Sequence, residues 1–204
     1  MTNANAITNC LENLNIVLPD NLISSQLQTK NWRKSQEWYK GGKRNECEIY
    51  QRNKFEKIIG QKVHKTNLRL NTENYKLEEK TNPLTGKNGF EYTEDFDGDV
   101  KKNDIRYLIN FKMICDSGGA QTRSLREVYH FIKCQLEYLL RNPDSNIKFV
   151  NIIEGDIGHK YTTKNHDEKR EASLLDLLDK ERYTSIKDKV FIGDLKTFSN
   201  QYQF

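Results

Sequence analysis

The chain is short of the residues that staple or anchor a protein. It has four cysteines, at positions 10, 47, 115 and 134, and no two are spaced as Cys-x-x-Cys. A disulfide framework is not expected in a chain of 204 residues, which is long enough to bury a core without one. The four histidines, 64, 130, 159 and 166, show no metal-ligand spacing either, so a structural zinc site is not expected. No apolar run approaches the ~20 residues that span a bilayer. The start, Met1-Thr2-Asn3-Ala4-Asn5, has neither a basic n-region nor an apolar stretch, and it reads as free of a signal peptide. Neither sign of charge dominates: 33 Lys and Arg against 29 Asp and Glu leave +4, which permits a polyanionic partner without requiring one. These absences point to a cytoplasmic protein in a reducing compartment, with no membrane partner.

What is present reads as alternating helices and strands in a single domain. Residues 1–45 read as a helical N-terminal segment. Trp32, Arg33, Lys34, Trp38, Tyr39, Lys40, Lys43 and Arg44 interleave rings with bases, a pattern that grips nucleic acid or simply packs rings on a core. Residues 46–63 have helical periodicity through Ile49, Arg52, Phe55, Glu56, Ile59 and Val63. Glu56, inside that stripe, needs a cation, a metal or a salt bridge. Residues 64–89 are polar and resist assignment, and Asn82 to Lys87 reads as a turn. A hairpin follows: a strand from Phe90 to about Val100, a turn at Lys101-Lys102-Asn103-Asp104, and a return strand from Ile105 to Cys115. A helix from Gln121 or Thr122 to Arg141 comes next, largely apolar, with a polar ridge of Arg123, Arg126, His130, Lys133, Glu137 and Arg141. Further on lie a strand at Ile147–Ile153, a polar loop at 157–169, an amphipathic helix at 170–180, and a short strand at Val190–Ile192.

The hairpin carries the chemistry. Its first strand reads Glu94-Asp95-Phe96-Asp97-Gly98-Asp99, and alternation places Asp95, Asp97 and Asp99 on one face. With the turn centred on Asn103 and Asp104, Asp97 falls opposite Asn110, with Lys112 one step further on the same face. An aspartate, a second oxygen donor and a lysine thus converge from local sequence alone. Phosphodiester hydrolysis uses such a set: carboxylates to hold Mg²⁺ and a lysine to orient water or stabilise charge on the phosphate. A surface hairpin with a paired lysine has the same spacing.

At these residues the chain resembles the PD-(D/E)XK nucleases, type II restriction endonucleases in particular. The resemblance rests on Asp97, the hairpin to Asn110-Phe111-Lys112, the Gly118-Gly119 break, and the run Ala120-Gln121-Thr122-Arg123-Ser124-Leu125-Arg126-Glu127-Val128-Tyr129-His130-Phe131. It spans about Glu46 to Ile153. The chain departs from the family pattern at Phe96, where a proline is usual, at Gly98, and at Asn110, which stands where the tripeptide has a carboxylate. In some restriction enzymes that carboxylate has moved to the following helix, and Glu127 occupies such a position; Glu56 is the other acidic residue placed to complete the site.

The resemblance implies an α/β fold with a restriction-endonuclease-like core, a central mixed β-sheet flanked by helices, over about 46–156, with 157–204 as an elaboration. It implies Mg²⁺-dependent cleavage of double-stranded DNA at a specific sequence, by a homodimer. Asp97, Asn110, Lys112 and Glu127 would be catalytic, and Asp97, Glu127 and Glu56 metal ligands. DNA contacts would come from Gln121, Thr122, Arg123, Arg126, His130 and Lys133, with Lys101 and Lys102 at the hairpin tip. A structure-specific repair nuclease and a catalytically decayed DNA-binding protein on the same scaffold are the alternatives.

Overall fold

The central hairpin forms at the turn expected of it. Asn103 and Asp104 both take positive φ, 49° and 62°, the left-handed pair that a two-residue hairpin turn demands and that Asn and Asp tolerate. A computed structural model describes residues 30–42, 45–79, 93–114, 119–155 and 180–201. In it β4 (Gly98–Lys102) pairs antiparallel with β5 (Ile105–Ile114), from Lys102 opposite Ile105 to Gly98 opposite Ile109. One step further along that register puts Asp97 opposite Asn110.

The expected first strand of the hairpin is not continuous. Residues 93–95 form a separate strand, β3 (Thr93–Asp95), which pairs with β1 (Leu68–Asn71) in a different sheet. The chain changes sheets at Phe96-Asp97. Phe96 is the pivot: its ring is buried against Phe131 and Phe149. The segment 64–89, unassigned from sequence, supplies β1 and β2 (Leu77–Glu79), giving an antiparallel sheet of order β2-β1-β3.

The main sheet has order β4-β5-β6-β7 and is mixed. β6 (Ile147–Gly155) runs parallel to β5, and β7 (Val190–Gly193) parallel to β6. The crossover from β5 to β6 is the long helix α3 (Gly119–Arg141). Before it lie α1 (Lys30–Ser35) and α2 (Glu46–Ile59). After it come the short α4 (Lys180–Tyr183), a 3₁₀ segment (Thr184–Lys189) and α5 (Leu195–Gln201). Both faces of the sheet are covered. On one, Leu108, Ile114, Phe149 and Ile153 meet Val128, Ile132, Leu136 and Leu139 of α3. On the other, Ile109, Phe111, Val150 and Ile152 meet Phe55 and Ile59 of α2 and Phe198 of α5. Burial on both faces explains the near-continuous apolar run in β5.

Several expectations need correction. α2 stops at Ile59, where Gly60 (φ 68°) donates its N–H to Glu56 O at 2.9 Å, rather than running to Val63. Its buried face is rotated from the apolar stripe: Gln51 is fully buried and Ile49 is 49 % exposed. The cause is polar, since Gln51 Nε2 reaches the Lys112 carbonyl at 3.1 Å and ties α2 to β5. Glu137 is not on a polar ridge but buried, receiving Tyr183 Oη at 2.5 Å and Arg182 Nη2 at 2.7 Å. β7 and α5 complete the main sheet and its second face, so the core extends past residue 156. Residues 1–29 of the helical N-terminal segment, the turn at 82–87, the loop at 157–169 and most of the helix at 170–180 lie outside the described residues. Among the described residues no helix is long and apolar enough to cross a membrane.

Candidate active site

Asp97 sits where the two sheets part, and it is fixed on both sides of Asn110. Its N–H donates to the Ile109 carbonyl at 2.9 Å, and its Oδ2 accepts the Phe111 N–H at 2.6 Å. The carboxylate thus takes over a ladder position that the departing backbone no longer fills. Arg52 of α2 donates to the Asp97 carbonyl and to Glu48 Oε1, the latter at 2.7 Å. The next residue has to be glycine. A Cβ on Gly98 would lie 2.3 Å from Val63 Cγ1 and 3.1 Å from His64 O, because the segment after α2 clamps β4 through His64 and Asp99 backbone bonds of 3.0 and 2.8 Å.

Charge gathers around this point from both sides of the sheet. Burial lifts the Asp97 carboxyl from 3.8 to about 6; the Phe111 N–H pulls the other way, Glu48 adds to the rise, and Lys112 and Arg52 oppose it. Glu94 of β3 is also raised, first by burial, with Lys112 lowering it and Glu127 and Asp95 raising it further. Lys112 therefore lies within electrostatic reach of both Asp97 and Glu94, and Glu127, an exposed residue near the start of α3, within reach of Glu94. The β5 alternation accounts for this: residues 108 and 114 pack under α3, so Lys112 emerges on the same side as that helix.

Of the sequence-predicted site residues, Lys112 acts electrostatically on Asp97, and Lys112 and Glu127 both act on Glu94. Asn110 is close in register but otherwise engaged. It is 2 % exposed, and its Nδ2 donates to Asn151 Oδ1 at 3.3 Å. Asn151 in turn exchanges bonds of 3.0 and 2.8 Å with Gln135 of α3. Glu56 is apart from the group: its Oε1 accepts the Val63 N–H at 3.0 Å and its Oε2 the Lys62 ammonium at 3.1 Å. Burial works to raise its pKa, but those partners together leave it lowered. The acidic residue of α2 whose charge acts on Asp97 is Glu48, two turns nearer the helix start.

Sequence reasoning missed Glu94 and Glu48. Strand alternation put Glu94 on the opposite face from Asp97, but alternation does not carry across the sheet change at Phe96. Glu48 was detectable as the i,i+4 partner of Arg52. The proposed DNA-contacting residues divide. Arg126 and His130 are exposed one turn apart, Lys133 is half-buried, Lys101 is exposed and Lys102 half-buried. Gln121, Thr122 and Arg123 fall in α3, with side chains outside what is described.

The donor set suits a hard cation. Asp97, Glu94 and Glu127 offer only oxygen, as Mg²⁺ prefers, and a cation would offset the burial that lifts Asp97 and Glu94. Among the described residues, no three His, Cys, Asp or Glu side chains are already close enough to hold a metal. Comparison of the chain with protein-family models, with curated proteins and with solved structures finds no match. The shared features are those of its own architecture: a mixed α/β protein with acidic side chains and one lysine collected at a sheet junction.

Proposed function

We propose that this protein is a type II restriction endonuclease, hydrolysing phosphodiester bonds of double-stranded DNA at a specific short sequence, on a restriction-endonuclease-like core. One observation carries the reading: Lys112, one step beyond the position opposite the half-buried Asp97, lies within electrostatic reach of Asp97 and of Glu94, which in turn feels Glu127. Asp97, Glu127 and Glu94 are the residues that would hold Mg²⁺, which when bound polarises the phosphate and acidifies an attacking water. The Lys112 ammonium orients that water and stabilises charge as it builds on the phosphate oxygens. Asn110 has no chemical step in this scheme; its amide fixes β5 to β6 and so sets where Lys112 emerges. The exposed Arg126 and His130 of α3 face the DNA, and a two-fold pair of chains would read a palindromic site.

A second reading has its own observation. Asn110 stands where a carboxylate is usual and its amide is locked in the core, which favours a DNA-binding protein that has lost cleavage. Plasmid DNA incubated with the protein and Mg²⁺ separates the readings. Discrete fragments support a restriction enzyme, cutting confined to junctions or flaps supports a repair nuclease, and binding without cutting supports the decayed scaffold. Lys112→Ala is expected to slow cleavage by about 10²-fold or more. Cleavage by that variant at the wild-type rate would remove Lys112 from the site.

A further inference from the structure

The side of α2 turned away from Asp97 carries a second feature that the cleavage scheme does not use. A pocket of about 280 Å³ opens there, lined by Trp38, Glu46, Ile49, Tyr50, Lys54 and Lys57 among others. Its wall is a fixed aromatic pair: the Trp38 and Tyr50 rings stack with centroids 4.7 Å apart and planes 18° from parallel. Trp32 braces both edge-on at 6.2 and 6.1 Å. Ile49 is the only exposed large hydrophobic among the described residues. That is an unusual position for an isoleucine on a helix whose neighbour Gln51 is fully buried.

The polar groups divide between a sealed floor and a charged rim. Glu46 is 8 % exposed. Its Oε2 accepts the Gly42 N–H at 2.9 Å, while its Oε1 is buried with no hydrogen-bond partner, as is Trp38 Nε1. A buried carboxylate oxygen without a donor is costly, and both orphan atoms lie beneath the pocket floor, closed to solvent. At the rim, Lys54 and Lys57 are exposed, with Lys54 Nζ 5.8 Å from the Tyr50 ring centre. Flat apolar walls and two cations at the mouth match one chemical class: a planar heterocycle that bears a phosphate. The volume falls just under the ~300–1,000 Å³ range of small-ligand pockets, which suits a single mononucleotide unit and little more.

We propose that this pocket holds one nucleotide of a nucleic-acid strand, its base against Ile49 and the Trp38–Tyr50 wall and its phosphate on Lys54 and Lys57. The proposal rests on the nucleic-acid reading only for the source of the nucleotide. The pocket needs neither a metal nor Asp97 or Lys112. Bases of any identity stack on aromatic side chains.

Titration of the full chain with guanosine 5′-monophosphate, without divalent metal and read by tryptophan fluorescence, tests it. Saturable quenching is expected, and inorganic phosphate and ribose 5-phosphate should not reproduce it. Ile49→Glu, and separately Lys54→Glu with Lys57→Glu, should weaken binding about tenfold or more. All three side chains are exposed, and an unchanged thermal unfolding curve confirms that the variants fold. Lys112→Ala should bind the nucleotide as wild type does. Absence of saturable quenching, equal quenching by phosphate alone, or wild-type affinity in both sets of variants would each overturn the proposal. None of those outcomes touches the cleavage reading, which Lys112→Ala on plasmid DNA tests alone.

Discussion

Asp97 shows how one carboxylate can hold a strand at an electrostatic cost. Its carboxylate holds the edge of β5 through the Phe111 N–H, yet burial lifts its pKa from 3.8 to about 6. A group that binds its proton more tightly folded than unfolded favours folding when protonated. That contribution is full below the ordinary value of 3.8 and is lost as pH rises through about 6. Asp97→Asn mimics the protonated form and can still accept the Phe111 N–H. In chelator-treated protein it should be more stable than wild type at pH 8, by about 2 kcal/mol at roughly 1.4 kcal/mol per pKa unit with some allowance for solvent. The difference should vanish near pH 4. Mg²⁺ should raise the unfolding midpoint of wild type at pH 8 and leave that of Asp97→Asn unmoved. A wild-type advantage at pH 8 without metal would show that the carboxylate is not strained by burial.

Between elements, the buried amides matter more than their sequence positions suggest. Asn110 of β5, Asn151 of β6 and Gln135 of α3 form one connected set, each no more than 2 % exposed. Asn151 also donates to the Phe191 carbonyl of β7 at 3.3 Å. Four elements are thereby held in register beneath Lys112. Asn110→Asp would supply the carboxylate that the resemblance to PD-(D/E)XK nucleases expects here, and under the proposed function motif logic says it should speed cleavage. The structure predicts otherwise. A carboxylate there would face the Asn151 carbonyl oxygen in place of a donor, with both groups buried. Asn110→Asp is expected to lose about 2–3 kcal/mol at pH 8 in urea unfolding and to gain no cleavage rate. A faster and equally stable variant would mean that Asn110 is a site residue after all. The local rules did well at this scale where they were strictly local. The Asn103-Asp104 turn and the register from it to Asp97 were legible because two left-handed residues fix a hairpin's pairing. The α2 stripe was misread because Gln51 is buried by a hydrogen bond to another element, which no periodicity encodes.

For the whole molecule, the least legible part was where the core ends. The family resemblance made 157–204 an elaboration, and with β7 only four residues long and α5 only seven, nothing in their length argued otherwise. Their role appears only in three dimensions. β7 is the fourth strand of the main sheet, pairing from Phe149 opposite Val190 to Ile152 opposite Gly193. Phe191 and Phe198 then close the face that α2 half covers: Phe198 is fully buried, 4.7 Å from the Phe55 ring and 5.1 Å from Phe191. A chain ending at Lys189 would expose Phe55, Val150 and Ile152 to water and open the β6 edge to pairing with other chains. It would also remove the carbonyl of Phe191 from Asn151. Each large buried side chain contributes roughly 1.5–3 kcal/mol, and the removed segment buries Val190, Phe191, Ile192, Leu195 and Phe198. Their sum is comparable to the 5–15 kcal/mol that holds a typical domain together. The truncated chain is therefore expected to show no cooperative thermal transition and to aggregate, whereas wild type unfolds in a single step. A soluble truncation that unfolds cooperatively within a few degrees of wild type would confine the core to the residues the sequence first marked out.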